Sequence, residues 1–179
     1  MFATEACTGF YMHWQHLRPD DAVIPSRAQL DPCEMPRLLP HVIVYDVAAT
    51  PDTVTYRLVG TEITRRWGFD PTGRPYAEVV GGDEGWESAR AILRVAHEAV
   101  GLRLLRRQVR PSGALDDVEV CCLPVWHDGR GAAQAMSVSA ALAPGGRPLD
   151  THADPVRERI LLEREHFELA AAASPAPPL

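Results

Sequence analysis

Few side chains in this sequence have the neighbours that chemistry requires. His97 lies beside Glu98 and one long helical stretch after Asp83, and a histidine paired with an inward acid is the least that general acid–base work needs. Helical spacing puts neither acid on the face of His97, so no catalytic dyad is expected. His13 and His16 are three apart on one candidate helix, but no carboxylate or cysteine completes a metal site with them. Cys7, Cys33, Cys121 and Cys122 show no CxxC spacing. Neighbouring strand residues point to opposite faces, so the four cysteines read as reduced thiols. A Gly-rich phosphate loop, HExxH and GxSxG are all missing, and the expectation is a protein that is not an enzyme and binds no metal.

Arg103, Arg106, Arg107 and Arg110 form the densest basic cluster, followed by Asp116, Asp117 and Glu119 on the next candidate strand. Cross-strand ion pairing accounts for it more simply than nucleic-acid binding does. The formal net charge of -6 and a pI near 5.6 agree, because a phosphate backbone calls for a basic surface. All 18 basic side chains are Arg, with no Lys and no Asn, a bias that points to a GC-rich bacterial genome. No apolar run approaches the roughly 20 residues of a membrane-spanning helix, and residues 1–17 lack the pattern of a secretory signal. A cytoplasmic location without membrane contact is therefore expected.

The 179 residues, 46% of them hydrophobic, suit one compact domain. Phe10, Met12, Trp14 and Leu17 give Thr4 to Leu17 a helical pattern that ends before Pro19. Four prolines between Ile24 and Pro40 make a rigid connector with at most a short helix at Asp31-Pro32. The β-branched run at Val42 to Val47 and the alternating Val54 to Gly60 predict a hairpin, with Val54, Tyr56 and Leu58 on its core face. Short helices broken by Gly68, Pro71, Gly73 and Pro75 follow, and such segments often wall a cavity. Asp83 to Gly101 predicts a helix with Trp86, Ala89, Leu93, Ala96 and Val100 on its buried stripe. Three strands follow, at Leu102 to Arg110, Val118 to Trp126 and Ala132 to Leu142, turning at Gly113 and at Asp128-Gly129. Alternating charges predict a last helix from about Pro155 to Ala172, and the Pro/Ala tail beyond it lacks the apolar content to fold. The expected division is an N-terminal helix over 1–20, a core domain over 21–145, and a C-terminal helix with a disordered tail over 146–179.

Pro25-Ser26-Arg27, Asp31-Pro32, Met35 to Pro40, Tyr56-Arg57-Leu58-Val59-Gly60-Thr61 and Thr72-Gly73-Arg74, with Trp14 upstream, resemble the PAS_5 family. These are bacterial single-domain PAS proteins, mostly alphaproteobacterial. The resemblance spans roughly Tyr11 to Leu142 and weakens after Gly82, where Leu123-Pro124-Val125 and Asp128-Gly129 stand for the family's later motifs. It implies an α+β fold: a five-stranded antiparallel sheet in the order 2-1-5-4-3, helices on one face, and a cavity between them. The family carries no settled catalytic motif. In haem-binding PAS domains a histidine of the long helix ligates iron, which draws attention to His97. No second ligand accompanies it, and no reactive-cysteine motif for flavin is present, so no cofactor is identified and neither haem nor flavin is expected.

Facing assigns Tyr56, Leu58, Ile63, Trp67, Tyr76, Trp86, Leu93, His97 and Ser137 to a mostly apolar pocket that could take a small molecule; the same residues equally suit a filled core. Gly60 and Gly73 read as backbone devices. Arg57, opposite the core face, reads as a tie from the sheet to Asp31 or Glu34 of the connector. The apolar face of Phe10, Tyr11, Trp14 and Leu17 predicts a homodimer interface, and Ile160, Leu161, Leu162 and Phe167 a second surface for self-association or a signalling partner. The favoured function is a sensory domain that binds a small ligand and transmits to a partner protein. A ligand-free interaction or dimerisation module is the alternative, and a small α+β enzyme the third reading.

Overall fold

The computed structural model describes residues 2–18, 24–142 and 154–169. Helix α1 (Glu5–His16) precedes the proline-rich connector, which holds turns, single-turn 3-10 helices and one isolated β-bridge from Ser26 to Trp126. Strands β1 (Val42–Asp46) and β2 (Thr55–Val59) form the first hairpin. Helices α2 (Thr61–Trp67), α3 (Tyr76–Val80) and α4 (Gly82–Glu98) follow. Strands β3 (Gly101–Val109), β4 (Leu115–His127), β5 (Ala132–Ala141) and β6 (Glu158–Phe167) complete the chain.

All six strands join one antiparallel sheet in the order β2-β1-β5-β4-β3-β6. The expected 2-1-5-4-3 order is present, with a sixth strand added against β3. That strand replaces the helix expected from about Pro155 to Ala172; the expected tail lies outside the described residues. The ERILLEREHF sequence has a helix-like charge pattern, but pairing from Gly101↔Phe167 to Val109↔Glu158 covers an open sheet edge with main-chain hydrogen bonds. Gly101 makes this possible, because a Cβ there would lie 2.2 Å from the Phe167 ring.

Helices cover both faces of the sheet, not one. On one face, α2, α3 and α4 bury Ile63, Trp67, Tyr76, Ala89, Ile92 and Val95 against Ile43, Tyr45, Tyr56, Leu102, Leu104, Val120 and Cys122. On the other, α1 and the connector pack Cys7, Phe10, Trp14, Leu30 and Met35 against Val42, Val44, Cys121, Leu123, Val125, Met136 and Val138. Helix α1 is thus part of the same folded unit as the sheet. Phe10 and Trp14 are 0% exposed, so the dimer face expected there is covered by the chain's own sheet. Tyr11 meets the rings of Phe2 and Phe167 at 5.7 and 5.8 Å, and Leu17 packs at the edge of the same cluster.

A carboxylate fixes α1 in place. Glu119, fully buried on β4, accepts hydrogen bonds from the amides of Ala3 and Thr4, from the Thr4 hydroxyl, and from Arg103 Nε at 2.7 Å. Its charge therefore lies at the positive end of α1. Trp14 Nε1 donates to the Pro124 carbonyl at 2.7 Å, tying the far end of the helix to the same strand.

A buried chamber between sheet and helices

The residues assigned to the pocket separate into two groups. Tyr56, Ile63, Trp67, Tyr76 and Ser137 are buried, and Leu93 packs at the edge of the helix-side core. Leu58, Trp86 and His97 are directed away from it.

Leu58 is displaced by a β-bulge. The register runs Val44↔Leu58 and then Tyr45↔Tyr56, which leaves Arg57 as the extra residue on β2. Leu58 therefore shares the face of Val44, opposite Tyr56, and is 49% exposed. Arg57 is exposed and makes no ion pair among the described residues. Asp31 instead accepts from the amide of Cys33, and Glu34 lies 3.9 Å from His13.

On α4 the buried stripe runs through Gly85, Ser88, Ala89, Ile92, Val95 and Ala96, leaving Trp86 43% exposed and His97 on the solvent side. Close packing of α3 and α4 sets that rotation, since a Cβ on Gly85 would stand 2.5 Å from the Ala77 carbonyl oxygen. A haem ligand at His97 would point away from the core. Gly60, at φ -65, leaves room for the Leu39 and Pro40 carbonyls, and Gly73 adopts φ +83 while its amide donates to Tyr56 O at 2.7 Å.

Tyr45, Tyr56, Tyr76 and Trp67 form an aromatic box, with ring centroids 5.4 to 5.9 Å apart. Beside it is a chamber of about 20 Å³, lined by these rings with Arg106, Gln108, Ser139 and Arg159. This volume has room for a group of no more than a few heavy atoms. Ile43, Leu104, Val118 and Val120 complete the lining, so the walls are mostly apolar and aromatic as expected, with two guanidiniums and an amide among them.

Arg106, Gln108 and Arg159 were not among the expected pocket residues. Arg106 and Gln108 lie on β3 in phase with Leu102 and Leu104, which directs them at the helices. Arg103, Arg107 and Arg110 pair with Glu119, Asp117 and Asp116 at 2.7 to 2.8 Å, as cross-strand ion pairing requires. Arg106 departs from that scheme and reaches Glu84 of α4 at 3.0 Å. Arg159 enters from β6, its guanidinium 4.3 Å from the centre of the Trp67 ring. A period-two reading of Arg159 and Leu161 could have found it, but the β3/β6 register shift, which leaves Leu162 unpaired, breaks the alternation before Arg164.

The segment that brings in Arg159 also touches α2 and α4. Val156 N donates to Arg66 O, and Arg164 reaches Glu84 and Glu87 at 2.8 and 3.1 Å. Arg66 donates to Ser139 Oγ at 3.1 Å; burial, opposed by Glu62, brings its guanidinium down to about 10. Burial likewise lowers the pKa of Arg159, and raises those of Tyr45 and Tyr56, so both phenols stay protonated.

The face opposite the chamber carries a groove of about 960 Å³ between the connector and the β1/β2/β5 sheet, where Leu39, Leu58 and Trp126 are exposed. Among the described residues no three metal-ligating side chains stand together, and no helix is long and apolar enough to cross a membrane.

A mixed-order antiparallel sheet with short helices and one long helix packed over a small internal chamber is the architecture of a PAS domain, a sensory and signalling module. Residues 3–137 match the PAS_5 family of PAS domains, and the chain belongs to that family. Among solved structures it is similar to the PAS domain of an HTR-like protein from Haloarcula marismortui, at 16% identity and a TM-score of 0.40, covering 61% of this chain and 89% of that one. It is also similar to an RNA-binding Light-Oxygen-Voltage receptor, at 19% identity and a TM-score of 0.45, covering 70% of this chain and 36% of that one. No curated protein sequence matches the chain.

Proposed function

We propose that this PAS domain senses a small molecule taken into the chamber between the sheet and α2–α4, and passes its state to a partner protein through the strand that closes the chamber. The observation that carries the reading is a set of buried polar atoms on residues that line the chamber, each without a hydrogen-bond partner among the described residues: Tyr56 OH, Trp67 Nε1, Arg106 Nε, Gln108 Oε1, and Arg159 Nε and Nη2. Native interiors pair such groups, and a concentration of unpaired ones suits a site that a ligand completes. Arg159, Arg164 and Val156 link the chamber to α2 and α4, so an occupant that favours one placement of β6 would change the surface around exposed Ile160 and Leu162. The proposal includes no catalysis: His97 faces solvent, and burial holds the Cys7 thiol up at about 12.

Native mass spectrometry of the purified chain tests the reading, with thermal shifts against a metabolite library as a second measurement. A co-purifying mass or a saturable rise in Tm supports it. A clean mass with no Tm response removes it in favour of an interaction module using the groove around Leu39, Leu58 and Trp126. The same spectrum gives the subunit count, and a dimer would have to form through surfaces other than Phe10 and Trp14.

A further inference from the structure

The unpartnered groups around the chamber are mostly donors. Arg106 Nε, Arg159 Nε, Arg159 Nη2 and Trp67 Nε1 can only donate, Tyr56 OH can do either, and Gln108 Oε1 alone can only accept. Charge is unbalanced in the same direction. Glu84 is the carboxylate nearest Arg106, but it already accepts from Ser88, Arg106 and Arg164. Arg159 has no carboxylate within 4.0 Å among the described residues; it donates a 3.5 Å hydrogen bond to Val79 O and lies over the face of Trp67. A desolvated guanidinium without a counter-ion is costly, and a water molecule satisfies donors without removing the charge.

We propose that the ligand of the chamber is a small anion, no larger than a carboxylate group, held by the guanidiniums of Arg106 and Arg159 with Tyr56 OH and Trp67 Nε1–H as neutral donors. This rests on the sensory reading above and gives its ligand a chemical class. The chamber's volume sets the upper size, and the forked N–H pattern of a guanidinium suits a planar oxyanion. Arg159 ties occupancy to the strand: the anion compensates a charge that only β6 supplies, so its binding favours the docked position of that strand.

The test uses the full chain in a buffer whose only anion is a bulky sulfonate. Formate is titrated against wild type, Arg159→Met and the surface control Arg57→Met, with formamide as the neutral molecule of matching size; Tm and calorimetric affinity are read. Formate is expected to raise Tm saturably in wild type and in Arg57→Met, and formamide to have no effect. Arg159→Met should have an unchanged or higher Tm without formate and an affinity weaker by about tenfold or more, the loss of one charge-assisted hydrogen bond. Formamide acting as well as formate would overturn the anionic class and leave the sensory reading standing. An equal response of Arg159→Met to formate would place the effect on the surface and overturn the proposal. No response to either molecule, with a lowered Tm for Arg159→Met, would mean a closed chamber with a structural guanidinium, and both readings would fall. If Arg159→Met does not fold, Trp67→Phe keeps a ring under Arg159 and removes one donor; unchanged formate affinity there would also overturn the assignment.

Discussion

On the α1 face of the sheet a buried carboxylate, Glu119, is surrounded by two amides, a hydroxyl and the Arg103 guanidinium. On the opposite face, Arg106 shares Glu84 with Arg164, and Arg159 has an aromatic ring where Glu119 has donors. The same strands build both arrangements. On the first face the buried carboxylate is compensated inside the chain, and among the described residues the buried atoms left without a hydrogen bond there are neutral, as in Gln134, or an imidazole nitrogen of His13. On the second, cationic groups remain open toward a chamber. One face therefore holds the domain together, and the other is left for something to complete.

Deletions on the two faces should differ most at the large aromatic groups. Trp14→Ala should lose roughly 3–5 kcal/mol in chemical denaturation, from the cavity and the lost bond to Pro124 O. Glu119→Ala should cost about 3 kcal/mol by the same measurement, because it leaves Arg103 and the Ala3 and Thr4 amides just before α1 without their anion. Tyr56→Phe removes a hydroxyl with no protein partner and should change stability by less than about 1 kcal/mol, in either direction. A cost for Tyr56→Phe as large as that for Glu119→Ala would break the contrast between the faces.

Acid sharpens the same comparison. Burial raises the pKa of Glu119, but hydrogen bonds from Ala3, Arg103 and Thr4 outweigh it and hold the carboxyl below the usual glutamate range. A depressed folded-state pKa contributes stability that is complete above the unfolded value and lost as pH falls through the folded one. Melting curves from pH 7 into acid should therefore show the gap between wild type and Glu119→Gln closing below the ordinary glutamate pKa. The smallest effect concerns thiols. Exposed Cys33 should react with a thiol reagent in the native protein, while buried Cys7, Cys121 and Cys122 should react only on unfolding, as counted by mass spectrometry.

The sequence was most readable where hydrophobic period and turn chemistry agree. The hairpins around Pro51 and Asp128-Gly129 and the helix of α4 follow from that agreement, whereas the order of β1 to β5 in the sheet came from the family resemblance. It was misread at both edges of the sheet, for one physical reason: Arg57 on β2 and Leu162 on β6 are extra residues at register shifts, and each reverses the facing of what lies beyond it. Leu58 thus moved out of the pocket, while the phase that would have identified β6 and Arg159 was hidden within a charge pattern suited to a helix. Arg106 was masked by its neighbours. Three arginines around it have cross-strand acids, and composition alone does not separate the one that faces inward.

The pairing of β1 with β5 has a temporal consequence. Val42 at the sheet centre meets Val138, so strands made early must wait for one made late before they acquire their inner neighbour. Contacts of such long sequence separation slow folding, because a large loop must close before they contribute. During synthesis the first hairpin and the helices after it therefore have no finished sheet to dock on until β5 leaves the ribosome. A chain released before β5 should remain open to proteases and chaperones, and the domain should form as a unit only once that strand arrives.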